Sequence, residues 1–242
     1  SLIKRFKEKN KNFVNSNKQK TSKWWEQIGK WREKKSLNFI NSDKIIKPQH
    51  AVQRLYELTK TQDTFITTEV GQHQMWASLF YDVIQPGTFF SSTGLGTMGW
   101  GFPASIGAKV ARPDVPVVDI AGDGSFSMTE NSLATAVLED IPVIVFVLNN
   151  STLGMVAQWQ RTFYDRRMIG IDLKKCPDYV KLAESYGAQG IRAQSLDELG
   201  KAVKAGLNSD VATVIDIPID PEEDVLPFVA PGTGLKDMIL PS

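Results

Sequence analysis

The stretch AGDGSFSMTE, residues 121–130, follows directly on the apolar run VPVVDI, residues 115–120. It places an aspartate between two glycines at the end of a strand whose side chains are apolar on both faces. Taken alone, Gly122-Asp123-Gly124 reads more readily as a tight surface turn. The next apolar run alters that reading. PVIVFVLNN, residues 142–150, ends in Asn149 and Asn150, with 24 residues separating Gly124 from that pair. Strand 115–121, helix 129–139 and strand 142–148 then form one right-handed βαβ unit. Its parallel strands end about 5 Å apart if they are neighbours. Asp123 and Asn150 would project from one sheet edge, where ligands of such sheets collect. A carboxylate oxygen, an amide oxygen and the Thr152 carbonyl, with phosphate oxygens from a ligand, complete an octahedral set suited to Mg²⁺. Gly122 and Gly124 permit a sharp turn and a close approach of ligand to backbone. Ser125 and the amides of the next helix are phosphate donors.

Outward from this unit the pattern stays regular. TFITTE (64–69) and TFFSS (88–92) read as strands, separated by a helix at 71–81. A glycine-rich segment leads into the helix ASIGAKVA (104–111). After the second aspartate-to-asparagine strand come helices near 152–162, at 177–187 and at 195–207, with strands at 188–193 and 211–219. Alternating strands and helices, several strands apolar throughout, predict a doubly wound, mostly parallel α/β sheet with helices on both faces. The core domain is expected to span 45–242, its regular part ending near 230, with VLPFVAPGTGLKDMILPS as an irregular closing segment.

The 242 residues carry 42% hydrophobic and 23% charged side chains, an ordinary globular composition. No apolar run approaches the roughly 20 residues of a membrane span, and no apolar stretch follows the charged N-terminus as in a secretory signal. The lone Cys176 excludes an internal disulfide framework and suits a reducing, cytoplasmic compartment; as a side chain it reads as a small packed hydrophobe. Residues 1–50 hold 14 Lys/Arg against 4 Asp/Glu. That arm could contact nucleic acid, but its bases are diluted by Asn, Gln and Ser and no nucleic-acid motif follows. Residues 1–44 are therefore read as a basic, partly helical linker from a preceding domain. Its first twenty residues resemble a tail, and a helix over 21–35 places Trp24, Ile28 and Trp31 on one packing stripe. Pro48 sits at a first helical position, with Val52, Leu55 and Tyr56 on one face of the helix that follows.

GDGSFSMTE with LNN at this separation resembles the diphosphate and magnesium motif of thiamine-diphosphate-dependent enzymes. TTEVGQHQMWA (67–77), SSTGLGTMGWGFPASIGAKVA (91–111), NNSTLGMVAQWQRTFY (149–164) and DVLPFVAPGTGL (224–235) are similar to the catalytic large subunit of acetolactate synthase. The likeness covers roughly residues 20–242 and looks like that enzyme's C-terminal, cofactor-binding third. It implies Asp123, Asn150 and the Thr152 carbonyl as Mg²⁺ ligands. Gln72, His73 and Ser125 flank the diphosphate, beside the glycines Gly122, Gly124 and Gly154. Gly96 and Met98 lie under the thiamine, where a bulky side chain bends it. Met128 and Met155 line the pyrimidine and active centre, and Trp159 with Met155 meets the second keto acid. Read without the family, His73, Met98, Met128, Met155 and Trp159 are ordinary packed or surface side chains.

The resemblance further implies decarboxylation of pyruvate and condensation with pyruvate or 2-oxobutanoate, giving 2-acetolactate or 2-aceto-2-hydroxybutanoate for branched-chain amino-acid synthesis. The family's catalytic glutamate belongs to an N-terminal domain, and its FAD to a middle domain; neither has a match in these residues, and Glu69 is not assigned that role. The chain is thus expected to be a fragment, inactive alone, binding no FAD, pairing as a homodimer, with a regulatory small subunit serving the full enzyme. Two alternatives remain: the cofactor-binding subunit of a split decarboxylase acting on sulfopyruvate or phosphonopyruvate, and a non-catalytic βαβ nucleotide-binding module with a basic arm.

Overall fold

The computed structural model describes residues 2–9, 11–33, 37–40, 42 and 44–241, with side chains of 11–19 left aside. The chain separates into two compact units: Ser1–Phe39 with Leu226–Ser242, and Ile40–Val225.

The larger unit is a six-stranded sheet whose every pairing is parallel. Its strands are β1 (Phe65–Thr68), β2 (Phe89–Ser91), β3 (Val117–Gly122), β4 (Ile144–Asn149), β5 (Gln189–Arg192) and β6 (Thr213–Pro218), in the order β2-β1-β3-β4-β6-β5. β3 is buried along its whole length and β4 along all but its last residue. That burial explains their largely apolar runs, broken in β3 by Asp119, since helices cover both faces of a parallel sheet. Alternate residues point to opposite layers. Val117 and Ala121 of β3 and Val145 and Val147 of β4 join one core with Phe102, Leu133, Tyr179 and Ala183. These come from helices α5 (Gly101–Ala111), α7 (Leu133–Leu138) and α9 (Tyr179–Tyr186). On the other side lie α3 (Pro48–Thr59), α4 (Gln72–Phe80) and α10 (Leu196–Leu207), with α3 packed against both α4 and α10. α8 (Gly154–Phe163) follows β4. Pro48 occupies the first turn of α3, and Val52 and Leu55 are fully buried.

In the smaller unit, α1 (Leu2–Lys9) and α2 (Lys11–Glu33) replace the tail expected for the first twenty residues. α1 buries none of its side chains. Its straight-chain Lys, Arg and Glu lose little rotamer freedom in a helix, and Leu2, Ile3 and Phe6 form an apolar stripe that stays exposed. Trp24 and Trp31 meet edge to face at 5.4 Å, yet both stay about half exposed. Among the described residues no helix is long and apolar enough to cross a membrane.

Two local differences from the sequence reading bear on the site. The helix expected over 129–139 is shorter: a single turn, α6 (Asp123–Phe126), precedes it, and α7 begins only at Leu133 after a short 3₁₀ turn. α5 starts at Gly101, three residues early. Pro103 fits there because first-turn N–H groups need no intrahelical partner. The N–H groups of Gly99 and Phe102 go instead to the two carboxylate oxygens of Glu69, at 2.7 and 2.9 Å. A side chain from the end of β1 thus fixes where α5 begins.

Candidate active site

In the order β2-β1-β3-β4, successive connections leave β1 in opposite directions, so the sheet has its switch point between β1 and β3. A crevice opens at the carboxyl ends of such strands. Three chain segments meet there: Glu69–His73 after β1, Gly122–Ser125 after β3, and Asn150–Met155 after β4. Gly122 pairs with Leu148 in the sheet, so Asp123 and Asn150 leave adjacent strands at nearly the same level. A cavity of about 100 Å³ lies between the segments. Its wall carries Gln72, His73, Met98, Gly122, Asp123, Gly124, Ser125, Asn150, Thr152, Gly154 and Met155.

The cavity exists because three positions lack side chains. A Cβ on Gly122 would fall 2.5 Å from His73 Nδ1, and one on Gly154 2.0 Å from Gln72 Oε1. One on Gly124 would meet Leu153 and Leu173 within 3 Å. Real Cβ contacts do not come that close, so any larger residue would close the space or move its walls.

Asp123 is 2% exposed and its Oδ2 has no hydrogen-bond partner among the described residues. Burial pushes its carboxyl up to about 7, against the pull of backbone N–H groups of Gly124 and Ser151. An ionised carboxylate in this position lacks a counter-charge, which is the condition a cation would relieve. Asn150 is also buried. Its Oδ1 accepts from Thr152 N at 3.1 Å, and its Nδ2 donates to Gln72 Oε1 at 3.3 Å. Among the described residues no three His, Cys, Asp or Glu gather into a cluster able to hold a metal. The donor set here is one carboxylate, one amide and one carbonyl, which suits a hard cation that takes its other oxygens from a ligand.

His73 is buried, and desolvation drops its imidazole to about 3, so it is neutral at any physiological pH. Its Nε2 has no partner. Ser125 is less available than its position implies: its hydroxyl donates to Val70 O at 3.0 Å and accepts from Val70 N at 3.3 Å. Ser125 therefore laces the end of β1 to α6, and it contacts a phosphate only by giving up that tie. Gly96 adopts φ +64°, a conformation natural to glycine, and does not line the cavity. Nor does Met128, which is largely exposed and packs beside Gly99. Trp159 stands on α8, above a separate cleft of about 670 Å³ that it shares with Met155, Val156 and Tyr164. Met155 lines both spaces, so the cleft and the cavity adjoin. A further cleft of about 790 Å³ lies beyond Asn149 and Asp216. Its wall cations Arg192, Arg161 and Lys174 all have carboxylate partners, so the smaller cavity, with its unpartnered atoms, is the better candidate.

Sequence reasoning passed over several buried groups. Tyr179 donates to the Asp123 carbonyl at 3.1 Å and meets Ser127 at 2.9 Å. Asp216 accepts from Asn149 Nδ2 and Arg192 Nε, at 2.9 and 3.0 Å. Gln158 reaches Gln72. Asp119, within β3, accepts from Thr67 Oγ1 at 2.8 Å but leaves Oδ2 unpartnered. Burial raises the Asp119 carboxyl well above the usual range, with the nearby Glu69 charge adding to it. Unfolded, Asp119 releases its proton near pH 4; folded, it keeps the proton to higher pH. Its contribution to stability is therefore present at low pH and declines as pH rises through that window, by up to about 1.4 kcal/mol per pH unit. Asp119→Asn, uncharged throughout, is expected to differ least from the parent chain near pH 4 in urea denaturation and to exceed it increasingly up to pH 8. Identical slopes of stability against pH in both chains would refute the assignment.

Residues 69–217 match the family described as thiamine pyrophosphate enzyme, C-terminal TPP binding domain. The chain is 44% identical over 223 residues to the probable acetolactate synthase large subunit of Methanocaldococcus jannaschii, covering 90% of this chain and 38% of that protein. It is 42% identical over 218 residues to the acetolactate synthase large subunit of Haemophilus influenzae, with the same coverage. The mitochondrial catalytic subunit of Saccharomyces cerevisiae is 40% identical over 222 residues, covering 90% of this chain and 32% of that one. Among solved structures, benzoylformate decarboxylase from Polynucleobacter necessarius superposes with a TM-score of 0.69 at 27% identity, over 77% of this chain and 36% of that one. The chain thus spans about 38% of the length of its archaeal and bacterial relatives. With an all-parallel doubly wound sheet, a cavity at its switch point and a family match across both GDG and NN, this chain belongs to the thiamine pyrophosphate enzymes, as their C-terminal TPP binding domain.

Proposed function

We propose that this chain is the cofactor-binding part of an acetolactate synthase, joining two pyruvates, or pyruvate and 2-oxobutanoate, with loss of CO₂. The observation that carries the reading is the buried, unpartnered Oδ2 of Asp123 beside Asn150, on a cavity left open by Gly122, Gly124 and Gly154. Identities of 40–44% with proteins named as acetolactate synthases supply the choice of reaction. They exceed the 27% identity to the benzoylformate decarboxylase from Polynucleobacter necessarius.

The residues present fit thiamine diphosphate with Mg²⁺. Asp123, Asn150 and the Thr152 carbonyl would hold the cation, and Gln72, His73 and Ser125 would flank the diphosphate. Gly96 and Met98 would lie under the thiamine, with Met128 and Met155 about its pyrimidine. When bound, thiamine diphosphate supplies a carbon nucleophile and an electron sink for decarboxylating a 2-keto acid. The chain's own part is to bind and orient. Asp123, once ionised, offers a charge that the protein leaves uncompensated. His73 adds a neutral ring nitrogen, free of any charge that would compete with the cation. Met155 and Trp159, at the joined cavity and cleft, would exclude water and receive the second keto acid. The longer protein would add the catalytic glutamate and FAD from its other domains, pair as a homodimer and engage a regulatory small subunit.

Calorimetric titration of the 242-residue chain with thiamine diphosphate tests the site. Binding is expected in Mg²⁺, and at least roughly tenfold weaker in EDTA, because the diphosphate is held chiefly through the cation. Equal affinity with and without Mg²⁺ would overturn the reading.

A further inference from the structure

Asn150 can serve a cation only through Oδ1. Turned over about its last bond, the amide would present Nδ2, a donor carrying partial positive charge. The Thr152 backbone N–H holds the Oδ1 end, donating to it at 3.1 Å, and a chain of side-chain amides holds the Nδ2 end. Asn150 Nδ2 donates to Gln72 Oε1, and Gln72 in turn has its own polarity fixed, because its Nε2 donates to Gln158 Oε1 at 2.9 Å and to Glu223 O at 3.1 Å. Gln158 is fixed by the backbone. Its Nε2 donates to Val225 O at 3.1 Å, while its Oε1 accepts from Val225 N at 2.9 Å.

Peptide groups cannot exchange their ends, so Val225 supplies a polarity that each amide hands to the next. Reversing any one member would set donor against donor or oxygen against oxygen. Gln158 and Gln72 are both buried, where an unmatched polar group finds no water to replace its partner. Gly154 closes the relay from the side, since no Cβ fits against Gln72 Oε1.

The anchor is itself tied down. Lys47 bridges Asp220 at 3.3 Å and Glu223 at 2.6 Å, and Gln49 Nε2 donates to Glu223 Oε1 at 2.7 Å. Arg161 pairs with Asp224, and Arg166 with Glu222 at 2.7 Å. The segment 220–225 is thereby pinned to the approach to α3 and to α8 and the turn after it, and it presents Val225 to Gln158 from a fixed direction.

We propose that Gln158 is a positioning residue that acts through Gln72 to set the amide polarity of Asn150, and so the divalent-cation affinity of the site. The proposal rests on the Mg²⁺ and diphosphate reading given above. Partners of metal ligands typically contribute 10–100-fold to metal affinity. Gln158→Met keeps the length of the side chain and removes its hydrogen bonds.

The test titrates Mg²⁺ into chain plus saturating thiamine diphosphate, reading cofactor uptake by calorimetry, alongside thermal melts in EDTA. In Gln158→Met the half-saturating Mg²⁺ concentration is expected to rise roughly tenfold or more, while uptake at saturating Mg²⁺ stays near that of the parent. In an Asn150→Ala background the same substitution is expected to change half-saturation less than about twofold, because its target is gone. A folded Gln158→Met chain with parental Mg²⁺ dependence overturns the proposal, and so does a full effect without Asn150. Where Gln158→Met fails to fold, Gln158→Asn decides: its amide is drawn back from Gln72, and an unshifted half-saturation overturns the proposal equally. A parent chain whose uptake ignores Mg²⁺ brings down the underlying site reading, whereas a Mg²⁺-dependent parent with an unshifted variant brings down the relay alone.

Discussion

Asp123→Ala is expected to reduce Mg²⁺-dependent thiamine diphosphate binding at least about 100-fold and, in the absence of metal, to make the chain harder to unfold. Both effects have one cause. Asp123 is 2% exposed, and the backbone N–H groups that reach its carboxylate do not cancel the cost of burying the charge. The carboxyl, ordinarily ionised above pH 4, is pushed up to about 7. Between those limits the folded chain keeps a proton that the unfolded chain has released. Stability therefore falls as pH rises from about 4 to about 7, and above that the metal-free protein carries the whole cost, on the order of 2–4 kcal/mol. Alanine removes it. Metal-free melts at pH 8 should move upward by several degrees, at about 2–4 °C per kcal/mol for a domain of this size. The gain should shrink steadily below pH 7 and vanish only near pH 4, where the unfolded chain keeps the proton too. A variant that melts lower at pH 8, or that still takes up thiamine diphosphate only with Mg²⁺, is the contrary result. The arrangement gives up folding stability to hold a carboxylate oxygen without a partner among the described residues.

What could be read from the sequence is what a strand reports about itself. The runs 117–122 and 144–149 are apolar on both faces because they occupy the middle of the sheet, and the glycines of GDG and Gly154 mark places where backbone comes close to something. What each glycine avoids is a tertiary fact: His73 for Gly122, the Gln72 amide for Gly154. The start of α5 was illegible for the same reason, since its first N–H groups are taken by Glu69, thirty and more residues earlier. Gln158 has no signal of its own. An amide on an amphipathic helix reads as surface, and here its partners are Gln72 and the backbone of Val225, 86 and 67 positions away. Ser125 shows the opposite error. Its place in GDGS suggests a free hydroxyl, yet that hydroxyl is engaged by both backbone groups of Val70. Residue type and spacing thus announced that Asp123 and Asn150 leave neighbouring strand ends, whereas the polar groups behind them became visible only when distant segments were brought together.

Gly101→Ala should be the most damaging single methyl group in the fold. A Cβ there would lie 2.5 Å from Asp119 Oδ1, 2.6 Å from Glu69 N and 2.6 Å from the Thr68 carbonyl carbon. Two of those three atoms belong to the backbone at the end of β1, so no rotamer change relieves the contact. α5 would have to withdraw from the sheet. That movement would draw Phe102 N away from Glu69 Oε1, now at 2.9 Å, and Gly99 N from Oε2, now at 2.7 Å. Overpacking costs about 1–3 kcal/mol, and each buried charged acceptor left short of a donor adds about 1–3 kcal/mol. A loss of roughly 3–5 kcal/mol follows, a large share of the 5–15 kcal/mol that holds a typical domain together. Gly107, in the same helix, is the control. Nothing lies within 4 Å of the Cβ it would gain, and Gly107→Ala should stabilise by about 0.5–1 kcal/mol through helix propensity alone. Urea denaturation should therefore move the two midpoints in opposite directions. An unchanged midpoint for Gly101→Ala would mean that the end of β1 yields under α5, and that Glu69 does not set where that helix begins.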